Sequence, residues 1–178
     1  MQRIATTALL LVLCCTAGPA VASEDADALD ALEGTWQATN SREEARANID
    51  AQIDAVVAEM SFIKRPFARR RLRKVTRPCQ TMAFERLTEA RVEIHCTSRK
   101  AAVAPLDGTS VKWTDEDGET FTLTQTVHDD RIVQTFVGED GTRRNVYRPD
   151  GDTMTLDAQL TSDQLPEPLT FQRTFRRK

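Results

Sequence analysis

Histidine is scarce: His95 and His128 are the only two in 178 residues, one beside Cys96 and the other in a turn sequence. Two histidines and two cysteines that are expected to pair do not make a zinc site, and neither histidine is placed to serve as an inward axial ligand for haem. No G-x-S-x-G, H-E-x-x-H or C-x-x-C motif occurs, and the few serines beyond the leader have no evident histidine partner. A nucleophile, base and orienting group therefore cannot be assembled, and the expectation is a protein without catalysis, metal or cofactor. After residue 22 no apolar run approaches the length needed to span a bilayer. Internal repeats and a second domain are absent as well.

Cysteine is also thinly spread. Cys14 and Cys15 fall in the first 22 residues, which read as a secretory signal peptide: Arg3, an apolar run from Ala8 to Cys15, and an Ala20-Val21-Ala22 cleavage site of bacterial type. The expected product is an exported monomer, periplasmic or secreted. Lipid anchoring at Cys14 or Cys15 is the lesser alternative, because the residue before each is not small. Cys79 and Cys96 remain, and an even pair in an exported chain predicts a disulfide. Pairing Met82 with Ile94 and Phe84 with Val92 sets Cys79 one residue out of register with Cys96, which a bulge near Pro78 would repair.

Acids are missing from one stretch. Lys64 to Arg77 holds eight basic residues and no carboxylate. With Arg3 removed, 27 acids face 23 basic residues, and setting that stretch aside leaves the rest of the chain at −12. Sorting of this kind predicts a basic face on an acidic body. Arg65, Arg69, Arg70, Arg73 and Lys74 are the candidates to meet an anionic membrane surface or a protein partner; a solvated face balanced by the acidic body is the plainer reading. Export argues against nucleic acid.

What is present in quantity is short strands. After an acidic, flexible start over 23–33, Gly34-Thr35-Trp36 opens a strand. A helical insertion over 41–77 follows. Ser41 and Glu44 form a capping box, and Ile49, Ile53, Val56, Met60 and Ile63 make one apolar stripe. Pro66 ends that helix and opens a second, with Phe67, Ala68, Leu72 and Val75 on its weaker apolar side. From Gln80 the period changes to two, with a hairpin about Leu87-Thr88-Glu89 and tight turns at Asp117-Gly118, His128-Asp129-Asp130, Asp140-Gly141 and Asp150-Gly151. About ten antiparallel strands in a meander, each with one apolar face, predict an up-and-down β-barrel over 34–178, wide enough for a cavity and capped by the helix pair.

The last strand carries the sharpest chemical signal. Leu169, Phe171, Arg173 and Phe175 share a face, so one guanidinium enters an apolar enclosure, where it is costly unless an anion meets it. That is the chemistry of a cavity for a fatty-acid-like or other apolar acid. In the competing reading Arg173, Arg176 or Arg177 packs on Trp36 and closes the barrel without a ligand. Gln125 shares the face of Phe121 and Leu123, and Trp113 that of Val111; each is a candidate ligand contact or a core residue. If the barrel is packed rather than hollow, the alternative function is an envelope protein that docks through its basic helices.

Together these features resemble the calycins, and within them the fatty-acid-binding-protein and lipocalin-like group. Gly34-Thr35-Trp36 resembles the G-x-W opening, the helix pair follows strand one, and Arg173-Thr174-Phe175 resembles the closing R-x-Y. The resemblance implies a carboxylate held by Arg173, with Phe175 standing where a tyrosine would add a hydroxyl. It also implies a second interior arginine near Val146, for which Arg144 is the displaced candidate.

Overall fold

The computed structural model describes residues 24–178 apart from Ser98 and Asp129, so the leader with Cys14 and Cys15 lies outside the described residues. The segment expected to be flexible is instead a helix, α1 (Glu24–Leu32). Ala28, Leu29 and Leu32 fall on one side of it and are buried, which anchors the helix on the barrel. Then come β1 (Gly34–Ala38), α2 (Arg42–Ala58), α3 (Arg65–Val75), β2 (Thr81–Thr88), β3 (Arg91–Cys96) and β4 (Ala102–Pro105). The remaining strands are β5 (Val111–Thr114), β6 (Thr120–His128), β7 (Arg131–Gly138), β8 (Gly141–Asp150), β9 (Thr153–Thr161) and β10 (Leu169–Arg177). No helix among them is long and apolar enough to cross a membrane.

The ten strands form one antiparallel sheet in the order β4-β3-β2-β1-β10-β9-β8-β7-β6-β5. First and last strands pair, Trp36 opposite Arg177, so the meander curls into a barrel open only between β4 and β5. That seam is stitched rather than laddered. The Asp107–Thr126 bridge crosses it, Trp113 Nε1 donates to the Ala101 carbonyl at 2.8 Å, and Gln125 Nε2 donates to that of Ala102 at 3.4 Å.

The β2–β3 register is two residues longer than the sequence pattern implied, with Met82 opposite Cys96 and Phe84 opposite Ile94. The irregularity lies at Leu87, between Arg86 and Thr88, instead of near Pro78. The ladder itself sets Cys96 opposite Met82, three residues past Cys79; Cys79 lies before β2 begins, and from that link it is joined to Cys96 by a disulfide across a Cα separation of 5.7 Å.

Three apolar clusters divide the interior, one of them, Ala102, Ala104 and Leu123, beside the seam; the two larger close the ends. One holds Leu29, Leu32, Trp36, Phe84, Ile132, Tyr147, Met154 and Phe175, and seals the end under α1. Here Arg177, not Arg173, does the closing: its guanidinium lies 4.4 Å from the Trp36 ring and donates to the carbonyls of Ala31 and Glu33. A Cβ on Gly34, whose φ is +119°, would stand 3.2 Å from that guanidinium, so the opening glycine leaves room for the arginine. The other cluster joins Ile49, Ile53, Val56 and Val57 of α2 to Leu72 of α3 and to Leu160 and Leu169 at the opposite mouth. The Ser41–Glu44 capping box is formed: the Ser41 amide donates to Glu44 Oε2 and the Glu44 amide to Ser41 Oγ, and hydrogen bonding from the Ser41 backbone, then its side chain, holds the exposed Glu44 carboxyl below its ordinary value. The stripe breaks at Ile63: α2 stops at Ala58, and Ile63 turns outward with 63% of its surface exposed.

Candidate ligand-binding site

Between the helix pair and the barrel wall lies a cavity of about 1190 Å³. Strand alternation decides what faces it. On β10 the inward set is Leu169, Phe171, Arg173 and Phe175, as the sequence implied. Carried through the ladders, the same parity selects Leu156, Ala158 and Leu160 on β9, and then Arg143, Asn145 and Tyr147 on β8. On β7 it selects Ile132, Gln134 and Phe136, and on β6 Leu123, Gln125 and Val127. Arg144 has the opposite parity and is exposed on the outer face, so the second interior arginine is Arg143.

Apolar walls dominate. Trp113, Phe121 and Phe136 form an aromatic group near the seam, with ring centroids 5.0 Å apart for Trp113–Phe136 and 5.8 Å for Trp113–Phe121. Trp113 and Phe171 line the cavity; Gln125 is fully buried and spends its amide on the seam, leaving Oε1 without a partner.

Charged residues such as Asp115, Glu116, Glu119 and Asp140 also line the cavity, and the buried polar side chains of β7 and β8 are connected. Tyr147 donates to Gln134 Oε1 at 2.9 Å, and Asn145 Nδ2 donates both to Gln134 Oε1 and to the Tyr147 hydroxyl at 3.1 Å. Burial pushes the Tyr147 phenol up to about 12, outweighing the opposing pull of Arg143, so the hydroxyl stays a neutral donor at physiological pH.

Five arginines line this space; Arg71 and Arg77 pair with acids, and the other three are Arg99, Arg143 and Arg173. Arg173 is 4% exposed; its Nη1 donates to the Cys79 carbonyl at 2.7 Å, its Nη2 to Asn40 Oδ1 at 3.0 Å, and its Nε finds no partner. Phe175, where a tyrosine hydroxyl was looked for, offers its ring face 5.3 Å from the Arg173 guanidinium carbon. Arg143 donates from Nε to Asn145 at 2.9 Å and from Nη1 to the Val75 carbonyl at 2.9 Å. Arg99, in the link after β3, donates to the same Val75 carbonyl at 2.9 Å and to that of Arg77 at 3.3 Å. Burial lowers all three from the ordinary arginine value; Arg143, with the Arg99 charge added, falls to about 9. Among the described residues none of the three has an ion-pair partner within 4 Å. Each carries its charge against neutral oxygens only.

Arg99, Arg143, Asn145, Gln134 and Tyr147 are the site residues that sequence reasoning missed. Arg143, Asn145 and Tyr147 alternate on one strand, a visible signal. Arg99 gives none, because it sits in a link whose direction only the fold decides.

No protein-family model matches the chain, and no curated protein matches it. Solved structures do. A fatty acid transporter, REP1-NXSQ, superposes with a TM-score of 0.53 at 15% identity, over 83% of this chain and 96% of that one. Fatty-acid-binding protein 1 of Echinococcus granulosus gives 0.52 and 15%, over 83% and 98%. The Schistosoma mansoni fatty acid binding protein, solved with arachidonic acid, gives 0.52 and 19%, over 85% and 98%. At these identities the likeness is one of fold: a nearly closed ten-stranded barrel with helices after strand one.

Proposed function

We propose that this protein is an exported carrier that holds one fatty-acid-like amphipathic acid in the barrel and performs no chemistry on it. One observation carries the reading: a large cavity with mainly apolar walls in which three of the lining guanidiniums have no carboxylate paired to them among the described residues. Apolar walls of this extent favour an acyl chain at about 25 cal/mol per Å² buried. The buried cations then select an acid over an alcohol or ester, because a charge-assisted hydrogen bond repays their desolvation where a neutral oxygen repays only part. The solved proteins that share the fold include a fatty acid transporter and a protein crystallised with arachidonic acid, which agrees with this class of ligand.

Arg173 belongs to this reading as the deep cation, with Phe171 beside it on the wall. Native mass spectrometry of the chain from Ser23, titrated with oleate and separately with oleyl alcohol, tests it. The expected outcome is one oleate per chain, bound more tightly than the alcohol. Uptake of neither probe would end the carrier reading. It would leave the envelope-docking alternative, whose surface is the helix pair.

A further inference from the structure

Arg99 and Arg143 arrive from opposite walls of the barrel and point at one atom, the carbonyl oxygen of Val75. Two like charges converging on a single neutral acceptor is an unfavourable arrangement that an anion at that point would relieve. The charges nearest to Arg99 are those of Glu116, Arg77 and Asp115, with the Tyr147 hydroxyl also close; none is in ion-pair contact with it. Arg143 meets Asn145, Tyr147 and Arg99.

Val75 ends α3, and its carbonyl belongs to the negative end of that helix. The segment after it is tied down at intervals. Arg46 of α2 donates to the carbonyls of Arg73 and Thr76, the Thr76 hydroxyl and amide both donate to the Leu72 carbonyl, and Cys79 is fixed by its disulfide. With Leu72 packed in the core on one side and Cys79 fixed on the other, a displacement of the Val75 carbonyl is confined to residues 73–78 and strains only these ties.

We propose that Arg99 and Arg143 form the binding site for the ligand's carboxylate at the cavity mouth, that the Val75 carbonyl holds this place in the present structure, and that a bound acid displaces it and loosens the end of α3. The proposal rests on the carrier reading and adds where the headgroup sits and what it moves. A carboxylate offers two oxygens and a full charge to two guanidiniums, where Val75 offers one oxygen with a partial charge. Apolar surface below the pair then takes the chain, with Trp113 and Phe136 on one side and Leu156 and Leu160 on the other. Arg173, already bonded to Cys79 and Asn40, keeps its protein partners.

Backbone hydrogen exchange on the wild-type protein is the first arm, with oleate and oleyl alcohol as probes. Oleate is expected to speed exchange about tenfold at residues 73–78, and the alcohol to leave it unchanged. Affinities form the second arm. Arg143→Gln and Arg99→Gln should each weaken oleate about tenfold and spare the alcohol, while the outward-facing Arg144→Gln changes neither. Should Arg143→Gln fail to fold, Arg143→Lys and the wild-type exchange arm still decide. Acid and alcohol bound alike, or oleate bound with the end of α3 as protected as before, overturns this proposal and leaves the carrier standing. Binding of neither probe overturns both.

Discussion

At the scale of single residues, alternation marked the inward side of β10 but not that of β8, where Arg144 stood in for Arg143, and the contacts made inside were not legible. Arg173 enters the barrel because it shares parity with Phe171 and Phe175, but its acceptor is the carbonyl of Cys79, 94 residues away. Arg173 and Arg177 share a parity, so alternation left both open as the closer of the barrel on Trp36; register decided for Arg177, which lies opposite Trp36 in the β1–β10 ladder. Tyr147 offers a clean residue-level test because it is the only tyrosine in the chain. Absorbance at alkaline pH then reads one side chain, and its midpoint is expected at about 12 in the folded protein and near 10 in denaturant. By linkage, a raised phenol pKa lowers stability as pH climbs from 10 to 12, since the unfolded chain ionises first. Arg143, whose pKa is depressed to about 9, contributes the opposite slope over the same window, so the phenol absorbance and not the unfolding free energy is the readout. A native midpoint near 10 would mean that water reaches Tyr147 and that the Gln134–Asn145 network is open.

At the scale of elements, the capping box, the α2 stripe and the turn sequences placed most boundaries, because each is a local rule read from residues three or four apart. What α3 does was hidden, since its partners come from distant turns. Arg71 meets Glu119 after β5 at 3.0 Å and Asp140 after β7 at 2.7 Å, while Lys74 reaches Asp117 at 3.2 Å and Glu119 at 3.6 Å. On its other side Arg69 pairs with Asp54 and Arg73 with Asp50 of α2. The basic helix is thus a bar across the mouth, latched to both acidic turns. These pairs are largely exposed, so Arg71→Ala should cost under about 1 kcal/mol in urea unfolding. Its larger effect is expected on access: stopped-flow uptake of oleate by the variant should be several-fold faster at low salt, and 0.5 M salt should bring the wild type toward it. Identical uptake rates for both proteins at low salt would show that α3 does not gate the cavity.

At the scale of the whole molecule, the segregation of charge was plain in the sequence and its destination was not. Of the five cations expected to form an outer face, Arg69, Arg73 and Lys74 are spent on the ion pairs above, and Arg65 donates to the carbonyls of Ala58 and Met60 at 2.6 and 2.8 Å. Among the described residues Arg70 is the one of the five that is exposed with neither an ion pair within 4 Å nor a carbonyl acceptor, and Lys64, just before α3, is exposed too. On the same stretch of chain Ile63 and Phe67, which the two helix stripes had placed inside, are 63% and 74% exposed, Ile63 because α2 ends before its turn comes round, and Phe62 beside them is 79% exposed. Three large apolar side chains on the α2–α3 tip, flanked by cations, suit the boundary of an anionic bilayer. Each full burial is worth about 2 kcal/mol and each cation about 1 kcal/mol near such a surface. The basic face as a continuous patch would predict binding governed by salt alone; the tip predicts binding that needs the phenylalanines. Flotation with vesicles containing phosphatidylglycerol separates the two. Wild type is expected to float and Phe62→Ser/Phe67→Ser to lose at least about tenfold in partitioning, with unfolding in urea unchanged because neither ring is part of the core. Lys64→Gln/Arg70→Gln should remove most of the salt dependence and keep a weaker apolar attachment. If the double serine variant floats like the wild type, the tip is not a membrane contact.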